Sequence, residues 1–347
     1  MHSEQKMNKE LEKYIDEGGS LGSLAKRPRK RAATEAFPCD PSEVYDIQVT
    51  ELAKRLRRIG ARDVVIGISG GLDSALCLLV AYGAFATLGL DKSGIHVYTM
   101  PGFGTTRRTK GNADKLCEGL GLKLETIDIT KTTLRHLKDI GHDGKTPDVT
   151  FENAQARMRT LILMDKANMC GGIVLGTGDM SEIALGWCTY NGDHMSMFGV
   201  NAGVPKTVVR KVCGLWADAV LDGAIAKSPL RKAAKAIKDI IATPVSPELV
   251  KGQVTEDAIG PYELHDFYIW NFIVNGLDRA DLLDAAKRFF KGVYPVALIK
   301  KTLDTFLYRL VAQAFKRNCA PDGIKVFQFD FSPTGWYIPS DLPRGIL

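Results

Sequence analysis

Val64-Val65-Ile66-Gly67-Ile68 leads into Ser69-Gly70-Gly71-Leu72-Asp73-Ser74 and then into Ala75-Leu76-Cys77-Leu78-Leu79-Val80-Ala81. The first five residues form a short β-branched run, the pattern of a strand buried on both faces. The last seven are apolar and free of turn formers, which predicts a packed helix. The loop between them has two adjacent glycines, so its backbone can bend sharply and bring N–H groups close to a ligand. The free N–H groups and dipole of the following helix favour an anion there. Ser69 and Ser74 add hydroxyl donors. Asp73 is an acid beside a phosphate nest, which makes chemical sense if a magnesium ion is shared between the carboxylate and the phosphates. A bare Gly-Gly turn is usually only a tight connection. Both serines, the aspartate and the strand–helix context favour a phosphate loop.

The spacing is that of neither common phosphate loop. A Walker A loop needs G-x-x-x-x-G-K-[ST], and a dinucleotide fingerprint needs G-x-G-x-x-G. The form S-G-G-x-D-S resembles instead the pyrophosphate loop of ATP pyrophosphatases, enzymes that cleave ATP between its α and β phosphates.

Around this loop the chain reads as an ordinary globular protein. Its 347 residues are 45% hydrophobic and 25% charged, enough to bury roughly three-quarters of the extended surface without disulfide or metal staples. No apolar run approaches the ~18 residues of a membrane span, and the polar N-terminus lacks a signal-peptide pattern. Seven cysteines without a C-x-x-C pair suit reduced core residues and a cytoplasmic location. The six histidines show no ligand spacing, and none is assigned to a transition metal. Part of the net charge of +6 sits in Lys26-Arg27-Pro28-Arg29-Lys30-Arg31, within a polar stretch. That run reads as a solvated linker in preference to a nucleic-acid contact.

Residues 1–36 form a polar, basic tail with a short helix at Lys9–Ile15. From Ser42 to Ile59, Val44, Ile47, Leu52, Leu56 and Ile59 recur at helical spacing. Strand-like runs return at Ile95–Met100, Leu122–Ile127 and Gly172–Leu175 with helical segments between. The class is therefore α/β, a doubly wound parallel sheet binding its ligand at the carboxyl ends of the strands. Residues 37–245 form this main domain. Beyond them Pro244, Pro247, Gly252 and Gly260-Pro261 punctuate a loop, and His265–Val274, Ala280–Phe290 and Ala297–Phe315 look helical. Residues 246–347 thus form a smaller helical extension with an ordered tail.

Other segments supply chemistry. Met100-Pro101-Gly102-Phe103-Gly104-Thr105-Thr106-Arg107 ends the second strand, with Thr105 either near a nucleotide or simply capping the next helix. Asn153 and Arg157 lie four apart on one helix face, and Arg157 can pair with a phosphate or carboxylate through two parallel hydrogen bonds. In Gly176-Thr177-Gly178-Asp179-Met180-Ser181-Glu182, Thr177 is a candidate nucleotide contact and Glu182 a second magnesium carboxylate. The plainer reading is a capped helix start with an acid in its first turn. Trp187, Thr189, Tyr190, Gly192 and Asp193 follow. Lys206, after Pro205, is placed to meet a phosphate.

The order S-G-G-x-D-S, M-P-G, F-E-N-x-Q-A-R, L-G-T-G-D-x-S-E-x-A-L-G, G-D, P-K resembles NAD synthetases, and more narrowly the synthetase domain of the glutamine-dependent type. Gly260-Pro261-Tyr262-Glu263-Leu264-His265-Asp266-Phe267 and Phe315-Lys316-Arg317 extend the similarity over roughly residues 37–347. It implies an adenine nucleotide alpha hydrolase-like fold and an amidation in which deamido-NAD is adenylated by ATP, then attacked by ammonia. By the resemblance Ser69, Gly70, Gly71, Asp73, Ser74, Thr177 and Lys206 would bind ATP, with Asp73 and Glu182 on magnesium. Asn153, Arg157, Trp187, Thr189 and Lys316 would line the deamido-NAD site, and Asp193 would lie near the ammonia. Asp73, Lys206 and Asp193 are the expected catalytic residues. A homodimer is implied as well.

Two features depart from the family pattern. Only residues 1–36 precede the matching region, which leaves no room for the nitrilase-type glutaminase domain. The chain is then a free-standing ammonia-using enzyme, a partner of a separate glutaminase subunit, or a fragment. The tail Phe331–Asp341 is one residue shorter than the usual form and lacks its charged residues. The competing readings are a GMP synthetase-like amidase, an RNA-modifying thiolase, for which no paired cysteines are visible, and a non-catalytic homologue.

Overall fold

The computed structural model describes residues 32–222, 228–243, 249 and 254–343. The basic run of 26–31, the short helix at Lys9–Ile15, and Pro244, Pro247 and Gly252 lie outside them.

Asp40 caps helix α1 (Pro41–Ile59) by accepting from the Ser42 N–H, and Gly60 ends it in the left-handed conformation. The chain then runs through β1 (Val64–Gly67), α2 (Leu72–Leu88), β2 (Ile95–Thr99), α3 (Arg107–Leu120), β3 (Leu124–Thr126), α4 (Thr130–Asp139), α5 (Val149–Cys170), β4 (Ile173–Gly176) and α6 (Met180–Leu185). After β5 (Phe198–Gly199) come α7 (Lys206–Asp222), α8 (Leu230–Ile241), α9 (Thr255–Ile259), α10 (Tyr262–Ile273), α11 (Arg279–Phe289), α12 (Val296–Ala312) and α13 (Ala314–Arg317). The five strands are parallel in the order β3-β2-β1-β4-β5. This confirms the expected class.

Alternation along β1 builds two layers. Val64 and Ile66 join a large core with α1, α2 and α7, whereas Val65 packs with Tyr98, Val174 and Ala167 beneath α5. Helices α10 and α12 extend the large core from α6 and α7. Within the described part of the C-terminal segment, Phe331, Ile338 and Leu342 enter the same core.

Three readings change. β5 escapes the sequence pattern because it is two residues long, with no β-branched run. It is extended by a parallel bridge from Gly199 to Gly323, with the Gly199 N–H donating to Asp322 O at 2.7 Å. The helix expected over Ala297–Phe315 breaks at Gln313 (φ −108, ψ 13), and α13 carries Arg317 back to the Ala184 carbonyl. Thr106, not Thr105, caps α3 through the Thr109 N–H, while the Thr105 hydroxyl accepts from the Gly102 N–H at 3.1 Å.

Helix α10 is buried almost throughout, and with it His265, whose Nε2 meets the Ile259 carbonyl at 2.8 Å. Burial pushes this imidazole down to about 4. Between pH 6.5 and 4 the unfolded chain takes up a proton that the folded chain refuses. Stability therefore falls with falling pH, by roughly 3 kcal/mol across that window through this residue. In His265→Gln the pH dependence of the urea midpoint over this range should be shallower than in the wild type. Equal slopes would refute the assignment.

Candidate active site

In the order β3-β2-β1-β4-β5 the winding reverses between β1 and β4, opening a crevice outside their carboxyl ends. The loops leaving these two strands meet there. Gly70 adopts φ +84, and a Cβ on it would lie 2.0 Å from the Thr109 carbonyl oxygen, so the loop presses on α3 at a place only glycine fits. The two serines shape the loop. Ser69 Oγ accepts from the Gly71 N–H at 3.1 Å, and the Ser74 hydroxyl donates to Gly71 O at 3.2 Å while accepting from the Ser69 N–H at 3.3 Å.

Lys206, the first residue of α7, is the centre of the site. Its side chain is 2% exposed, with Nζ 2.6 Å from Asp73 Oδ2, 2.9 Å from Asp179 Oδ2 and 2.9 Å from Glu182 Oε1. It also sits 5.1 Å from the centre of the Tyr262 ring. One ammonium thus faces three carboxylates, of which Asp179 is fully buried while Asp73 and Glu182 are 20% and 21% exposed. Burial works to discharge Lys206, but the summed attraction of Asp179, Asp73 and Glu182 outweighs it and holds the lysine well above its ordinary value. Burial also pushes Glu182 up to about 7, opposed by Lys206 and reinforced by Asp73. The same effects, burial foremost, raise Asp179 well above the usual carboxylate range.

Each member is held from behind. Asp179 caps α6, its Oδ1 accepting from the Glu182 N–H at 2.8 Å. Asn201 is fully buried and donates to both Asp73 O (2.9 Å) and Thr177 O (3.0 Å), tying the β1 loop to the β4 loop. The Lys206 N–H donates to Ser181 Oγ at 2.9 Å, and the Ser181 hydroxyl donates to Asp266 of α10. Asp266 also accepts from Thr207 N (2.9 Å) and Thr207 Oγ1 (2.6 Å).

The oxygen-only set Asp73, Asp179 and Glu182 places its ligand atoms within 4.8 Å of one another. Asp73 Oδ1 is buried with no hydrogen-bond partner. A hard divalent cation such as magnesium suits that donor set and would satisfy the orphan oxygen.

The remaining expected residues divide. Thr177, Glu182, Asp193 and Lys316 line one cleft beside the carboxylates. Asn153 Oδ1 accepts from the Thr189 hydroxyl at 2.8 Å, and the Thr189 N–H donates to Asp193 Oδ1 at 2.7 Å. Arg157 Nε donates to Tyr190 O at 3.2 Å, so α5 meets the 187–193 loop through both residues. Burial pushes Asp193 up. Trp187 stands apart, its ring stacked 5.0 Å from the Arg309 guanidinium carbon. Lys316 Nζ is engaged by the carbonyls of Gly186 (2.9 Å) and Cys188 (2.6 Å). Sequence reasoning passed over Asp179 as a ligand, and it passed over Asn201, Ser181, Asp266 and Tyr262. Asp179 was the one with a signal, an acid three residues before Glu182 at the end of a strand.

Residues 44–291 match the family model for NAD synthase. A curated relative, the glutamine-dependent NAD(+) synthetase of Mycobacterium leprae (strain TN), is 38% identical over 367 residues, covering 97% of this chain and 53% of the relative. The chain spans about half the length of the curated relatives it matches. Among solved structures, a glutamine-dependent NAD(+) synthetase from Cytophaga hutchinsonii is similar with a TM-score of 0.65 at 17% identity, over 86% of this chain and 54% of that one. The enzyme of that kind from Acinetobacter baumannii, in complex with ADP, gives 0.50 at 24% identity, over 86% and 50%. At these identities the likeness is one of fold.

Removing the lysine should leave three buried carboxylates uncompensated. Lys206→Met is expected to lower unfolding stability by about 3–5 kcal/mol at pH 8 without divalent cations. The loss should be smaller at pH 5.5, where Glu182, pushed up to about 7, takes up a proton. Denaturant titration at the two pH values checks this, and a pH-independent loss under ~1 kcal/mol would refute it.

Proposed function

The chain belongs to the NAD synthase family, and from that premise we propose that it amidates deamido-NAD to NAD, with ATP as activator and ammonia as direct nitrogen donor. The observation that carries this reading is the buried Lys206 set among three carboxylates where the β1 and β4 loops meet. A carboxylate is not amidated directly at neutral pH, and adenylation supplies the leaving group. One solved structure of a similar enzyme is a complex with ADP, which supports use of an adenine nucleotide.

In the first step a nicotinate carboxylate oxygen bonds to the α-phosphorus of ATP, and the bridge to the β-phosphate breaks, releasing pyrophosphate. The N–H groups of the Gly70-Gly71 turn and of the first turn of α2 would hold the phosphates, with Ser69, Ser74 and Thr177 beside them. Lys206 would stabilise the charge that grows on the departing oxygen. Asp73, Asp179 and Glu182 would hold magnesium, which when bound screens the negative charge of the phosphates. In the second step ammonia attacks the acyl carbon, the bond to AMP breaks, and the nitrogen sheds a proton. Asp193, a buried carboxylate raised above its ordinary value, would receive that proton at its carboxylate oxygen. Asn153, Arg157 and Thr189 would position deamido-NAD through the 187–193 loop, with Trp187 and Lys316 on its far side.

A homodimer joined through α5 is part of the same proposal. Leu161 and Met169, about two turns apart on one side of that helix, are 55% and 79% exposed, an apolar pair that a second copy would cover. A separate glutaminase subunit would be the source of ammonia where free ammonium is scarce.

The test is product analysis after incubation with deamido-NAD, ATP and magnesium, in parallel with ammonium chloride and with glutamine. NAD and AMP with ammonium, and none with glutamine, is the expected result. Absence of NAD with ammonium would overturn the proposal. Asp73→Asn should slow pyrophosphate release by at least about 100-fold. Near-normal turnover of that variant would remove Asp73 from the phosphate and magnesium site.

A further inference from the structure

At the opposite edge of the sheet, where β1 and β2 begin, three side chains of different chemistry converge. Asp63 immediately precedes β1, His96 is the second residue of β2, and Cys170 is the last residue of α5. One carboxylate oxygen, one ring nitrogen and the thiol sulfur lie within 4.8 Å of one another. The backbone fixes this meeting. Val65 pairs with His96 in the parallel register, which sets the histidine beside the start of β1. The Ile173 N–H donates to Asp63 O at 3.3 Å, and a Cβ on Gly172 would lie 2.6 Å from the same oxygen, so the turn leaving Cys170 is pressed against Asp63.

We propose that Asp63, His96 and Cys170 form a second cation site, for zinc or another borderline transition ion. The donors decide the class. Nitrogen and sulfur favour borderline and soft ions, whereas the oxygen-only set around Lys206 favours magnesium, so one chain offers two sites of different selectivity. The His96 and Asp63 side chains are 29% and 34% exposed, which lets an ion enter and leaves room for water as a fourth ligand. His96 Nε2 lies 2.7 Å from Asp63 Oδ1. Bonds of about 2.0–2.3 Å in a tetrahedral site hold donor atoms about 3.3–3.5 Å apart, so loading needs side-chain shifts of roughly an ångström or less. The ion would tie the C-terminal end of α5 to β1 and β2. The other end of α5 carries Asn153 and Arg157.

Cobalt(II) is the probe, added to the full chain in the presence of excess magnesium. The expected result is a saturable thiolate-to-cobalt charge-transfer band near one equivalent, displaced by zinc. His96→Gln and Cys170→Ser should each weaken cobalt binding at least about tenfold. Cys319→Ser should leave the band intact, although Cys319 Sγ lies 3.6 Å from His194 Nε2 and is the competing thiol–imidazole pair. Zinc should raise the thermal midpoint of the wild type and of Cys319→Ser but not of Cys170→Ser. A missing thiolate band, a band lost only in Cys319→Ser, or equal affinity in all variants would overturn the proposal.

Discussion

An ammonium group taken out of water costs several kcal/mol unless its charge is answered on the spot. In this protein the answer to Lys206 comes from Asp73 in the first turn of α2, Asp179 at the cap of α6 and Glu182 in the first turn of α6. Lys206 itself begins α7. Three helix N-termini therefore point into one crevice, and each brings a positive dipole end that favours negative charge nearby. The adjacency of β1 and β4 brings both loops within reach of Asn201, which holds them together.

The short helix α6 could not hold two of these carboxylates unaided. Six residues leave most of its carbonyls without intrahelical partners. Cations from the C-terminal part supply the missing donors. Arg317 Nη1 donates to Ala184 O at 2.7 Å, Arg309 Nε to Leu185 O at 2.9 Å, and Lys316 to the carbonyls of Gly186 and Cys188. Positive charge at a helix C-terminus is favourable in its own right. Burial lowers Arg317 to about 10 and also lowers Arg309 and Lys316, so their charges are held here at an energetic cost. With Asp266 beneath Ser181 and Thr207, helices α10, α12 and α13 thus act as the rear support of the site. Two of the three N–H groups of the Lys316 ammonium are engaged by the carbonyls of Gly186 and Cys188.

Local patterns made much of this legible. The strand–loop–helix around Gly70-Gly71, the amphipathic α1 and the four longer strands follow from periodicity and β-branching, with ends displaced by a residue or two. Where the sequence fell short, the determinant was not local. Two-residue β5 is a strand only because β4 and Gly323 flank it. The cap of α3 fell to Thr106 because Thr105 was engaged by the Gly102 N–H. The sequence places Lys206 only as a candidate phosphate contact, and its three-carboxylate cage, which joins positions up to 133 residues apart, leaves no local trace. The same holds for Asp63, His96 and Cys170, which no spacing rule relates.

Charge balance in the crevice also bears on how substrates would enter it. Three carboxylates against one ammonium leave an excess of negative charge, relieved in the free protein by the raised affinity of Glu182 and Asp179 for protons. Above about pH 7, where Glu182 is ionised, a triphosphate arriving alone would meet that excess and be repelled, and the helix dipoles are too weak to reverse it, at about 0.3–1 kcal/mol each. The proposed reaction therefore calls for nucleotide and divalent cation to arrive as a neutralising pair. A proton held on Glu182 below about pH 7 would leave as they bind. With the carboxylates then drawn toward the cation, Lys206 would have fewer partners of its own and would be free to turn its charge toward phosphate. The buried cage is thus less a stabilising device than a balanced arrangement, held together in the free protein and opened by the ligands it would serve.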